Sequence, residues 1–243
     1  MTTPSYAELV TAVRREGEGL LAAASLGSDA DVPTCEAWSM SDLVIHTADV
    51  YRYAAMIVSN RLVEQPDERP GVPEGEPIDV YRDALDEVVA ALQDAEPDTS
   101  AWNWTAGEPH VAAFWARRMA HESSVHRFDA QTAHGVVQPI DAELAEDGID
   151  ELVDVIAPRV YHRDSVIGPT GTIVLASSDS ETWNLELLTD GVRRIDPPSS
   201  PDAAVTGTTS TLLLACYGRV PWTALAVTGD EELLTAWTGS LNF

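Results

Sequence analysis

The chain has 243 residues, with 14 basic against 40 acidic side chains and a formal net charge of −26. Such acidity argues against a nucleic-acid backbone or an anionic membrane surface as partner, since both call for a basic face. Every basic residue is arginine, so Schiff-base, pyridoxal-phosphate and P-loop chemistries, which all need a lysine, are excluded as well.

With 44% hydrophobic residues and seven tryptophans, the chain can bury substantial cores, at a length suited to one large or two small domains. It lacks the run of about 18 apolar residues that a membrane span needs. The first twenty residues are amphipathic and carry acids, unlike a secretory signal. Cys35 and Cys216 form neither a disulfide framework nor a CxxC pair. The expectation from these features is a soluble cytoplasmic protein.

Taken in order, the first half reads as helices. Leu9, Val13, Leu20 and Leu21 recur at helical spacing from Tyr6 to about Ala24. After a loop with Gly27, Asp29, Asp31 and Pro33, Ser39-Met-Ser-Asp42 has capping-box spacing and opens a second helix to about Asn60. A Pro/Gly/Glu-rich loop runs from Gln65 to Pro77. The third helix, Ile78 to about Ala95, places Val80, Leu85, Val88, Val89 and Leu92 on its apolar side. A loop with Trp102 and Trp104 leads into a fourth helix from about His110 to His134. Four helices with long connections imply an antiparallel bundle.

Gly135 to Pro139 breaks the pattern, and Asp141 to about Val160 predicts a connecting helix. Beyond Gly168 the grammar changes. Thr172–Ala176 and Thr182–Leu188 read as strands, the second with alternating apolar residues, and Asp190-Gly191 as a hairpin turn. A strand at Ala203–Val205, a helix at Thr209–Tyr217, a strand at Leu225–Val227 and a helix from Glu231 to about Gly239 complete the chain. The predicted fold class is therefore α+β: a four-helix bundle with its connecting helix over residues 1–165, then a small α+β domain over 166–243.

The chemistry concentrates in Phe114-Trp-Ala-Arg-Arg-Met-Ala-His121-Glu122-Ser-Ser-Val-His126-Arg127-Phe-Asp129. His121 and His126 are five residues apart and diverge by about 140° around a helix, so they cannot chelate from one face as an HExxH pair does. Glu122 and His126 are four apart, about 40° around the helix, and can. Both fall on a stripe with Trp115 and Met119. On the second helix His46 falls in the series Leu43, His46, Val50, Tyr53 and Ile57, which turns it toward the bundle interior.

His46, Glu122 and His126 thus form either a catalytic divalent-metal site with an open position or hydrogen-bonded core groups, Glu122 pairing with Arg118 or His126. Zn²⁺ suits the donor set best, and ligand type leaves Ni²⁺, Fe²⁺ and Mn²⁺ open. Asp49 is a candidate fourth ligand or an exposed residue, and Cys35 an activated thiol or a semi-buried structural one. His121, Arg127 and Asp129 could orient the ligands or form surface pairs. Trp102, Trp104 and Trp115 line a pocket or belong to the core.

Four stretches also carry a resemblance. Val32-Pro-Thr-Cys-Glu-Ala-Trp38-Ser-Met-Ser-Asp42-Leu-Val-Ile-His46, with Met119-Ala-His-Glu122-Ser-Ser-Val-His126-Arg127-Phe-Asp129, resembles the mycothiol-dependent maleylpyruvate isomerase family. Tyr217-Gly218-Arg219-Val-Pro-Trp and Val227-Thr-Gly229-Asp230-Glu-Glu-Leu-Leu-Thr-Ala-Trp237 resemble its second domain. The resemblance implies a DinB-like metal-binding bundle followed by a sterol-carrier-like domain. It implies zinc on His46, Glu122 and His126, a catalytic role for Arg219, and mycothiol as cosubstrate.

The implied reaction is addition of a metal-activated thiolate to a small electrophilic, carboxylated substrate, ending in cis–trans isomerisation or, if the adduct is released, in S-transfer. The contrasting class is a non-catalytic metal- or ligand-binding regulatory protein on the same scaffold.

Overall fold

The computed structural model describes residues 3–105, 109–164 and 166–241. They divide into two compact units, one spanning Pro4–Ile140 and the other the chain from Asp141 onward together with the first residues.

The first unit holds α1 (Tyr6–Ala24), α2 (Met40–Ser59), α3 (Pro77–Gln93) and α4 (Ala112–Thr132). Ser5 and Glu8 form a capping box at the start of α1, and Ser39 and Asp42 form the one expected at α2. Pro77 sits in the first turn of α3, where its missing N–H costs no helical bond. α4 has no side-chain cap. Its first amides are taken up by loop carbonyls, Ala112 N–H by Thr99 O at 2.8 Å and Ala113 N–H by Pro97 O at 3.0 Å.

α1 packs chiefly on α4 and α2 on α3. α4 is enclosed almost all round, burying Arg118, His121, Ser123, Ser124, His126, Arg127 and Asp129 beside its apolar residues. A helix buried on every side has no single apolar stripe. Part of its polar interior is met by neighbouring helices: Ser123 Oγ lies 2.6 Å from Tyr51 Oη of α2, and Arg127 Nε meets Glu16 Oε2 of α1 at 2.5 Å, while Ser123 Oγ also donates to Met119 O within α4.

In the second unit α5 (Ala142–Glu151) continues through a π-helical segment, Leu152–Ile156, into α6 (Ala157–Asp164). The expected connecting helix is therefore present, but it belongs to this unit, and the boundary falls at 140/141 instead of near 165. The physical reason is its partners. α5 packs on α7, Trp183 Nε1–H donates to Asp150 at 2.7 Å, and Arg194 reaches both Asp150 and Asp154. Position 165 itself lies outside the described residues.

Five strands follow: β1 (Gly171–Ser177), β2 (Thr182–Leu188), β3 (Gly191–Arg194), β4 (Ala203–Gly207) and β5 (Ala226–Gly229). They form one sheet in the order β3-β2-β1-β4-β5, antiparallel except for the parallel β1–β4 pair. Leu188 pairs with Gly191, so the hairpin turn is Thr189-Asp190, one residue earlier than expected, and Gly191 opens β3. Ile173, Leu175, Trp183, Leu185, Leu187, Ala203 and Val205 turn to one buried face. α7 (Thr209–Cys216) packs on β1 and β4, and α8 (Glu231–Leu241) on β4.

Among the described residues no helix is long and apolar enough to cross a membrane.

Candidate metal centre

α2 and α4 pack together, and three polar side chains meet between them. His126 Nε2 lies 3.2 Å from Glu122 Oε1, and His46 Nε2 lies 3.5 Å from the same oxygen. The imidazole planes of His46 and His126 stand nearly perpendicular, with centroids 5.3 Å apart. One potential ligand atom from each of the three residues falls within 4.8 Å of the others.

The three differ in exposure. The His46 side chain is 40% exposed, against 17% for Glu122 and 9% for His126. His46 is thus at the rim of the bundle instead of inside it. The buried stripe of α2 runs through Met40, Leu43, Val44, Thr47, Tyr51, Ala54 and Val58, and His46, Val50 and Tyr53 flank it half-exposed. The apolar spacing that included His46 followed the edge of the stripe. Its position leaves the cluster approachable from the His46 side.

Each of the two α4 residues is held from behind. Asp129 Oδ2 lies 2.9 Å from His126 Nδ1, and Arg118 Nη2 donates to Glu122 Oε2 at 3.0 Å. Nδ1–H of His126 therefore points to a carboxylate and Nε2 to the cluster, and Oε2 of Glu122 is occupied so that Oε1 is the oxygen turned to both histidines. Burial opposes charge on both groups. The bonds outweigh it: Asp129 and Glu122 raise His126 to about 9, and His126, His46 and Arg118 hold the Glu122 carboxyl well below its ordinary range. Trp38, in the loop before α2, packs its ring over His46 with centroids 4.8 Å apart.

Two imidazole nitrogens and a carboxylate oxygen, the Glu122 and His126 donors each fixed by a neighbour, are a donor set that could hold a divalent ion of the zinc type. The pairing of Glu122 with both Arg118 and His126, weighed above as the alternative to metal binding, is present in the same arrangement.

The other candidates fall elsewhere. Asp49 pairs with Arg69 at 2.7 Å and stays outside the donor group. Cys35 is half-buried with Sγ 3.5 Å from Asp129 Oδ2. His121, Arg127 and Asp129 are all buried, so none forms a surface pair. Trp115 is core, whereas Trp102 and Trp104 are half-buried. Arg219 lies in the second unit just after α7, half-buried behind Gly218, with Nη1 donating to Tyr217 O at 2.9 Å.

The parts that sequence reasoning missed are in the loop before α2. Thr34 Oγ1 donates to Asp129 Oδ1 at 2.6 Å across 95 positions of sequence. No periodic signal marks such a contact, because a loop has no period.

Comparison with known proteins extends this picture. No curated protein matches the chain. It is similar in fold to the crystal structure of the mycothiol-dependent maleylpyruvate isomerase, with TM-score 0.63 and 15% identity over 95% of this chain and 97% of that one. A variant of that enzyme with one histidine replaced by alanine gives the same figures, TM-score 0.63 and 15% identity. The model of the mycothiol maleylpyruvate isomerase N-terminal domain matches residues 8–131, and that of the C-terminal domain matches residues 143–236. With both domain models matched in order, the chain belongs to the mycothiol maleylpyruvate isomerase family.

Proposed function

We propose that this protein is a zinc-dependent, mycothiol-using enzyme that isomerises a small electrophilic, carboxylated substrate of the maleylpyruvate type about a double bond. The observation that supports this most is the convergence of His46 Nε2, His126 Nε2 and Glu122 Oε1, in a chain of this family, with a buried partner behind each α4 residue.

His46, Glu122 and His126 would hold the metal. Zn²⁺ held there would supply Lewis acidity that lowers the pKa of an approaching thiol, whose proton would pass to solvent. The rest of the chemistry belongs to the thiol, the substrate and the chain. The thiolate sulfur adds to the activated double bond, leaving a single bond free to rotate. Expulsion of the thiolate re-forms the double bond in the other geometry and returns the thiol unchanged, so atoms balance with no net oxidation.

The chain's own residues prepare this. Arg118 and Asp129 keep Glu122 and His126 oriented. The half-exposed His46 leaves an approach for a thiol, and Trp38 covers one side of it. Arg219 would bind the substrate carboxylate bidentately and offset charge that develops as sulfur adds. No cysteine of this chain is needed as nucleophile. Cys216 is buried, and burial pushes its thiol well above the ordinary cysteine value.

The test is a coupled assay of the purified protein with mycothiol and a cis-configured unsaturated dicarboxylate, before and after chelation. Isomerised product that needs both metal and thiol supports the reading. An accumulating thioether adduct identifies S-transfer instead. Metal uptake with neither product nor adduct identifies the non-catalytic alternative.

A further inference from the structure

Asp129 is fully buried and three donors surround it. His126 Nδ1 approaches Oδ2 at 2.9 Å, Thr34 Oγ1 donates to Oδ1 at 2.6 Å, and Cys35 Sγ lies 3.5 Å from Oδ2. Thr34 and Cys35 belong to the loop from Val32 to Trp38, which closes on itself: Val32 N–H donates to Trp38 O at 2.9 Å and Trp38 N–H to Cys35 O at 3.0 Å. Ala37, immediately before Trp38, has φ +66°, a left-handed conformation that costs a non-glycine residue energy and persists only where surrounding contacts impose it. The ring that follows lies 4.8 Å from that of His46 and 6.5 Å from that of His126.

We propose that Asp129 is a positioning residue for both histidines of the candidate metal centre: it fixes the ring orientation and tautomer of His126 directly, and through Thr34 and Cys35 it anchors the loop that packs Trp38 over His46. The inference rests on the metal-site reading above. A carboxylate on the far nitrogen of a histidine is a common way to present its other nitrogen to a metal. Here the same carboxylate also ties down a loop 94 to 95 residues away in sequence, so one buried group links the α4 and α2 sides of the site. The thiol of Cys35 acts in this arrangement as a hydrogen-bond donor to a buried carboxylate.

The test uses the full chain loaded with Co²⁺, with affinity read by competition against a chromophoric chelator and the ring N–H protons read by paramagnetic NMR. Asp129→Ala should weaken metal binding about 10–100-fold, the usual cost of losing such a partner. Asp129→Asn, which keeps an acceptor oxygen of the same reach, should recover part of that loss. In the wild type the His126 ring N–H should exchange slowly with solvent. This signal reports the hydrogen bond itself and decides the matter even where a variant does not fold. An Asp129→Ala protein that binds within twofold of wild type, or a freely exchanging His126 N–H in wild type, overturns the proposal. Failure of the wild type to take up cobalt overturns the metal-site reading itself, and this proposal with it.

Discussion

Nε2 of His126 and Oε1 of Glu122 stand 3.2 Å apart on successive turns of α4, with His46 Nε2 reaching the same oxygen from α2 at 3.5 Å. Substituting any one of the three should empty the site. We expect His46→Ala, Glu122→Ala and His126→Ala each to lose bound metal, measured by mass spectrometry of the purified proteins. His121→Ala should keep its metal. Because His121 is fully buried, that variant should instead lose stability, by about 2–4 kcal/mol on the scale of large-to-small core substitutions. Loss of metal in His121→Ala with retention in His126→Ala would contradict the helical-face argument.

Proton linkage gives a second prediction. In the metal-free protein His126 titrates at about 9, raised above its ordinary 6.5 by Asp129 and Glu122 against the opposing effect of burial. A raised histidine contributes stability that is fully present below about 6.5 and lost as pH climbs through about 9. The metal-free protein should therefore lose denaturant resistance over that window. A metal ion must displace the proton, so at pH 7 its uptake should release about one proton, fading above pH 9. Calorimetric titration in buffers of different ionisation enthalpy reads this directly. Proton release unchanged at pH 10 would show that another group titrates.

Much of the first unit was legible in the sequence, because caps and apolar periodicity are local. The Ser39–Asp42 box marks the start of α2, and α1 to α3 each bury one side. Glu122 and His126 were legible for the same reason, as an i,i+4 pair. What escaped was set by tertiary surroundings. α4 is buried on every side, so periodicity could not show that His121, Arg127 and Asp129 are interior. His46 flanks its helix's buried stripe by a rotation too small for apolar spacing to resolve. The connecting helix carries no mark of which unit it joins, since that depends on Asp150 and Asp154 meeting Trp183 and Arg194.

The pair Glu16–Arg127 provides a stability test. Both side chains are about 5% exposed, with Nε 2.5 Å from Oε2, and Arg127 also donates to the carbonyls of Gln138 and Pro139. Arg127→Met leaves the buried Glu16 carboxylate with Arg15 alone, whose Nε lies 2.8 Å from Oε1, and should cost up to about 3–5 kcal/mol in urea unfolding. The double variant Glu16→Leu/Arg127→Met removes both charges and should recover a large part of that loss. Equal stability of Arg127→Met and wild type would show that the pair carries no structural weight.

In the second unit, Gly229 has φ +84°, and a Cβ added there would meet Asp202 O at 2.2 Å. The clash is with backbone and cannot be relieved by a rotamer change. Gly229→Ala should therefore destabilise the protein by more than the ~1 kcal/mol of an ordinary unfavourable glycine replacement. Thermal unfolding of the variant checks this, and an unchanged midpoint would contradict the packing of β5 against the start of β4.

The role proposed for Arg219 predicts that metal binding and chemistry can be separated by substitution. Arg219→Met should leave metal content untouched while lowering kcat/KM about 10²–10³-fold, as expected when a donor to developing charge is lost. Arg219→Lys should restore activity only partly, since an ammonium cannot grip a carboxylate bidentately. Steady-state kinetics beside metal analysis reads both, and full activity in Arg219→Met would remove this residue from the reaction.

The central claim is tested most directly by measuring the metal content of the purified protein together with isomerisation of an unsaturated dicarboxylate in the presence and absence of mycothiol. The account predicts about one divalent ion per chain and turnover that vanishes when either metal or thiol is withheld. A protein that holds no metal after native purification and takes none up on reconstitution, or that isomerises the substrate equally well without thiol, would contradict it.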